Sequence, residues 1–172
     1  CVNAADVASF HVHTAEGPED VEDSIAKYNK RVVERLRDKN ILGSQTIAVH
    51  CIHIDENEMN ILKDTDTMVT HCPESNMGNA VGCADVLKMM NKGIVVGMGT
   101  DGYTTDMFES LKTANIIHKH QKKDPSVAWA EAPAMLFENN ALMCSRFFDK
   151  EIGKIKQGAL ADIIVVECYT PT

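Results

Sequence analysis

The chain has 172 residues, 44% of them hydrophobic and 24% charged, with a formal net charge of −8. That balance is ordinary for one soluble globular domain and excludes a disordered segment. No apolar run reaches the roughly 20 residues that span a bilayer, and no dense Lys/Arg stripe offers a surface to nucleic acid.

Taken in chain order, short apolar strands alternate with longer amphipathic helices. Residues 8–14 read as strand, and residues 21–39 as one helix, because Val21, Ile25, Tyr28, Val32 and Leu36 recur at steps of three and four. Gly43 breaks the pattern. Residues 46–50 form a second predicted strand, 57–63 a short helix and 67–70 a third strand, followed by a long polar loop over 71–82. Residues 85–91 read as helix, stopped by Gly93, before a fourth strand over 94–98. Asp106 with Glu109 suggests a capping box for a helix reaching about His120. Pro125 opens a further helical region, interrupted by Pro133 and ending near Phe148, where Trp129 is expected to pack within the helices. The tail contains one more predicted strand, residues 163–166.

Strand–helix alternation implies a parallel sheet covered by helices. The repeating units account for residues 8–121, which fits half of an eight-stranded barrel or a small doubly wound sheet; a whole barrel needs about 250 residues. Gly97 and Gly99 lack the third glycine and the acidic partner of a dinucleotide fingerprint. Six cysteines, at 1, 51, 72, 83, 144 and 168, form no Cys-x-x-Cys pair. They are expected to be buried free thiols in a reducing cytoplasm, and no signal-like segment precedes the first strand-like stretch.

The polar residues cluster at the C-terminal ends of the strands. His13 and Glu16 follow the first, His50 ends the second, His71 follows the third and Asp101 the fourth. Active sites of α/β barrels are built at that edge. A single strand-end histidine is more often structural than functional, but several in register weaken that reading. His11, His53, His118 and His120 are expected to be structural or surface residues.

The motifs here are specific. The segment His-Val-His-Thr-Ala-Glu over 11–16, Ala-Val-His-Cys over 48–51, His-Cys-Pro-Glu-Ser-Asn-Met over 71–77, Gly-Met-Gly-Thr-Asp-Gly over 97–102 and the Gly-Ala-Leu-Ala-Asp turn over 158–162 occur in this order. Together they resemble the fifth- to eighth-strand motifs and C-terminal signature of the amidohydrolase superfamily, in its metal-dependent deaminase and chlorohydrolase group. Within it, the chain is most similar to an aminohydrolase subgroup associated with selenium metabolism. The resemblance implies the C-terminal half, strands five to eight, of a TIM-like barrel over residues 1–150, with residues 151–172 a segment of a small β-domain.

It implies His13 and Asp101 as ligands of a divalent metal, zinc first and iron as the alternative. Glu16 becomes a proton shuttle, His50 a residue that orients the attacking water, and Asp101 also a proton acceptor. His71, Ser75 and Asn76 are candidates for substrate contact, although Ser75 and Asn76 would equally hold their loop through bonds to the backbone. The implied partner is a small heterocyclic substrate, such as a purine or pyrimidine derivative losing an amine. Hydrolysis of a chloro-ring or cyclic amide is the alternative, as is a non-catalytic half-barrel that self-associates through its sheet edges. The His-x-His pair on the family's first barrel strand has no counterpart here, so this polypeptide alone is expected to be inactive.

Overall fold

The computed structural model describes residues 9–167 and 169. Its centre is a four-stranded parallel sheet in the order β1-β2-β3-β4, formed by β1 (Phe10–Thr14), β2 (Thr46–His50), β3 (Met68–His71) and β4 (Val96–Met98). The register aligns His13 with Val49, Val49 with Thr70, and Thr70 with Gly97. The start of the first predicted strand, at residue 8, lies outside the described residues.

Helices cover the sheet: α1 (Pro18–Tyr28), α2 (Val32–Asp38), α3 (Glu56–Asp64), α4 (Pro73–Gly78), α5 (Val86–Asn91), α6 (Met107–Lys122), α7 (Glu131–Ala134), a π-helical turn over Met135–Asn139, and α8 (Asn140–Cys144). The core between the layers is made from Val33, Ala48, Leu62, Val69, Val86, Met89, Val96 and Met135, among others. This is the parallel α/β arrangement that the strand–helix alternation predicts.

The expected helix over 21–39 is two helices. Asn29 takes a left-handed conformation with φ 51° and closes α1, a conformation that Asn tolerates better than most residues. A buried carboxylate then starts α2: Glu58 Oε1 accepts from the Val33 N–H at 2.9 Å, and Glu58 Oε2 accepts from Arg31 Nε at 2.7 Å. The apolar period runs through the break although Ile25 and Tyr28 are exposed, so periodicity alone does not reveal it.

The polar stretch over 71–82 is not all loop, since it contains α4 with Pro73 in its first turn. That position suits proline, whose missing N–H would be unpaired there anyway. At α6, Asp106 Oδ1 accepts from the Phe108 N–H at 2.9 Å and the Glu109 N–H at 3.3 Å, giving the predicted cap from the Asp side alone.

Two further expectations are corrected. Trp129 is 66% exposed, its indole N–H bonded to Pro125 O and Lys119 lying over its ring, because it stands outside the helix that begins at Glu131. Residues 163–166 form no strand and are largely exposed, since no segment among the described residues pairs with them. The outer edge of β4, by contrast, is occupied. Asn140 accepts from Met98 N at 2.9 Å and donates to Met98 O at 3.0 Å, and Asn139 donates to Val96 O at 2.7 Å. Those backbone groups are the ones that self-association through that edge would need.

Candidate active site

Strand periodicity puts His50 and His71 on one face of the sheet, since Val49 pairs with Thr70 and side chains alternate. The backbone then separates them. His50 and Cys51 both have positive φ, 70° and 51°, a conformation costing on the order of 1–2 kcal/mol per non-glycine residue. The strand turns there, and the His50 ring packs edge-on against His13, with centroids 4.8 Å apart. Ala15, at φ 48°, makes a similar turn after β1 and brings Glu16 back beside His13.

The result is a cluster at the strand ends. Glu16 Oε2 lies 3.9 Å from His13 Nδ1 and 3.5 Å from His50 Nε2, and Asp101 Oδ2 lies 3.8 Å from the same His50 nitrogen. The His13 side chain is 64% exposed, the two carboxylates are about a quarter exposed and His50 is fully buried, so the cluster is open on the His13 side. His50 Nε2 has no hydrogen-bond partner among the described residues. A buried, unpartnered ring nitrogen facing two carboxylates fits a site built to bind a cation or a polar group.

Helix α4 frames the cluster from below. Ser75 Oγ donates to Asp101 Oδ2 at 2.6 Å, Asn76 Oδ1 bonds His50 Nδ1 at 2.8 Å, and Asn79 Nδ2 donates to Glu16 Oε1 at 3.1 Å. The bond from Ser75 holds the Asp101 carboxyl below the usual carboxylate range; the Gly102 N–H and the nearby imidazoles of His50 and His13 act the same way, against a smaller opposing effect of burial. With Asn76 Oδ1 as acceptor, the Nδ1 of His50 is the donor, and the neutral form of the ring then presents its lone pair at Nε2. Ser75 and Asn76 thus bond to the side chains of the cluster. Asn79 is absent from the sequence-predicted set because 71–82 reads as loop. Pro73, as a helix-opening proline, is the signal that would have placed Ser75 and Asn79 four residues apart on one helical face.

His71 is not part of this cluster. It keeps its strand face and turns into the helix layer, where its Nε2 lies 3.2 Å from Nε2 of His118 on α6. Cys83 Sγ lies 3.7 Å from His118 Nδ1. Burial, reinforced by the neighbouring imidazoles, pushes His71 down to about 3, and burial likewise pushes His118 down to about 4. Burial pushes the Cys83 thiol up to about 11. His118 is therefore an interior residue, where the sequence suggests structure or surface.

The donor set suits a divalent metal. His13, Glu16 and His50 each offer one ligand atom within 4.8 Å of the others, and Asp101 adds a carboxylate beside His50. Imidazole and carboxylate are the ligands zinc and iron accept.

Comparison with known proteins agrees with this chemistry. A sequence model of the amidohydrolase family matches residues 1–171. A 5-methylthioadenosine/S-adenosylhomocysteine deaminase of Pelotomaculum thermopropionicum is 34% identical over 173 residues, covering 98% of this chain and 39% of that protein. A 5'-deoxyadenosine deaminase of Methanopyrus kandleri is 35% identical over 166 residues, covering 94% of this chain and 38% of that protein. Among solved structures, an adenosine deaminase from Xanthomonas campestris with bound zinc superposes with a TM-score of 0.83 at 30% identity, covering 93% of this chain and 37% of that one. The chain spans about two-fifths of the length of these relatives.

Proposed function

Because the chain belongs to the amidohydrolase family, we propose that its strand-end cluster is the proton-handling part of a hydrolytic deaminase. The substrate class is an aminated heterocycle, with adenine nucleosides first, as the names of the similar deaminases suggest. The reading is supported above all by His50 Nε2, buried without a partner and facing Glu16 and Asp101. His13 and Asp101 would hold a divalent metal, zinc first, with further ligands from outside the described residues, and the bound ion would supply a water acidic enough to attack near neutral pH.

The side chains divide the remaining work. Asp101 accepts a proton from the attacking water. His50, fixed by Asn76, accepts the water's other O–H at Nε2, which turns a lone pair of the water oxygen toward the ring carbon bearing the amine. Glu16, free to move on its exposed side, protonates the adjacent ring nitrogen as the C–O bond forms. It then relays to the departing nitrogen the proton that Asp101 took from the water, and recovers its own from the C–O–H as the carbonyl forms, so that ring–NH₂ and water become the ring carbonyl and ammonia. Ser75 keeps Asp101 ionised and Asn79 restrains Glu16. Residues 151–172 are read as part of a separate β segment. Among the described residues no helix is long and apolar enough to cross a membrane; Cys51, Cys72, Cys83 and Cys144 are free thiols, of the kind a reducing cytoplasm maintains, and that is the compartment we propose.

The test is ammonia release by the full-length zinc-loaded protein on adenosine, 5'-deoxyadenosine, guanine and cytosine. At least one substrate should reach a kcat/KM of about 10⁴ M⁻¹s⁻¹ or more. Chloride release from a chloro-triazine, or ring opening of a cyclic amide, with no deamination of these four compounds would transfer the site to the chloro-ring or cyclic-amide hydrolases.

A further inference from the structure

We propose that His71, Cys83 and His118 form a second metal site, for a thiolate-accepting divalent ion of the zinc class, separate from the strand-end cluster. Three elements meet there: the end of β3, the irregular segment between α4 and α5, and α6. One ligand atom from each of the three residues lies within 4.8 Å of the other two. The two Nε2 atoms are 3.2 Å apart, close to the roughly 3.3 Å between two imidazole nitrogens on one tetrahedral zinc. Cys83 Sγ is 3.7 Å from His118 Nδ1, against roughly 3.6 Å for nitrogen and sulfur on such an ion. His118 presents a different nitrogen to each neighbour, so gathering all three on one ion requires a rotation of the Cys83 side chain or of the His118 ring. Cys83 lies outside regular secondary structure and is only partly buried, which leaves it free to turn.

Hydrogen bonding alone does not complete this cluster. If Cys83 donates to His118 and His118 donates to His71, the chain of protons ends on His71 Nδ1. If the order is reversed, it ends on a lone pair at the same atom. His71 is fully buried, and its Nδ1 has no hydrogen-bond partner among the described residues; that nitrogen is not the one facing His118, so the three converging donors, not this atom, carry the site. Two imidazoles and a thiol, with no carboxylate among them, are soft donors that prefer zinc to magnesium or calcium. An ion here would tie the segment after α4 to α6 and brace the helix that carries Ser75 and Asn76 and is capped by Asn79.

The experiment titrates the metal-free chain with Co²⁺ and reads absorbance. A near-ultraviolet thiolate-to-cobalt charge-transfer band is expected. It should vanish in Cys83→Ser and in His118→Gln, and survive in Cys72→Ser, which removes the thiol near the strand-end cluster, and in Asp101→Asn. No charge-transfer band at saturating Co²⁺, or a band that persists in Cys83→Ser, overturns the site. A second readout needs no variant. Zn²⁺ should slow alkylation of Cys83 by iodoacetamide, located by peptide mass, by at least about ten-fold, since a metal-bound thiolate is withheld from attack. Unchanged alkylation of Cys83 with zinc overturns the proposal as well.

Discussion

Two histidine clusters end neighbouring strands of this sheet, and they differ in almost every physical respect. His13 and His50 stand with Glu16 and Asp101, open to solvent on one side and held by side chains of α4. His71 stands with His118 and Cys83 in the helix layer; both imidazoles are fully buried and held neutral by it. The residue type and the strand position are the same. The difference comes from the backbone at His50, where positive φ swings the ring off its strand face, and from which partners each face meets. Carboxylates beside an imidazole equip a site to move protons; a thiol beside two buried imidazoles equips it to grip a soft ion.

The largest expected effect falls on the acidic cluster. In the full-length protein, Asp101→Asn should lower kcat by about 10³-fold or more, because the proposed function makes this one residue both metal ligand and proton acceptor. Steady-state ammonia release measures it, and a loss under ten-fold would move the proton acceptor elsewhere. Glu16→Gln should cost about 10²–10⁴-fold in kcat. Solvent-isotope effects in the same assay should grow if proton relay becomes limiting.

Asn76→Leu should reduce kcat/KM by about 10–100-fold, the usual penalty for removing a group that orients an active-site histidine. It should also change the ring-nitrogen NMR shifts of His50, because Nδ1 loses its acceptor. An unchanged His50 spectrum would detach Asn76 from the site.

The smallest effect concerns the thiol cluster and is read in stability. An unfolded histidine protonates near 6.5, whereas His118 resists until about 4 and His71 until about 3. Between pH 6.5 and 4 the unfolded chain therefore binds more protons, so stability contributed by these groups is complete above 6.5 and drains away as pH falls. Asp85 and Glu131 oppose the shift at His118, and Lys122 adds to it. Each histidine contributes a slope of at most about 1.4 kcal/mol per pH unit. Urea unfolding of the metal-free chain from pH 7 to 4.5 should show this slope, and His118→Gln should flatten it. An equal slope in the variant would remove His118 from the acid sensitivity.

Much of the site was legible in the sequence because strand ends are legible. The alternation of elements placed His13, Glu16, His50 and Asp101 at one edge of a parallel sheet, and the motif order supplied their chemistry. The substrate expectation for His71 met a different outcome, as the same strand-end position led into the helix layer. Ser75 and Asn76 were visible as motif residues, yet their partners, Asp101 and His50, lie 26 residues away in each case. Asn79 was hidden by reading 71–82 as loop.

The parallel α/β class, the four strands and the edge where polar residues collect follow from the residues alone, because hydrophobic period and capping are local properties. The tertiary structure alone decided which way each ring turns: two consecutive positive φ angles send His50 toward Glu16 and Asp101, while His71 stays on its strand face and meets His118, 47 residues downstream. A one-dimensional pattern carries the side of the strand, but neither the backbone turn nor the distant partner that fixes the ring.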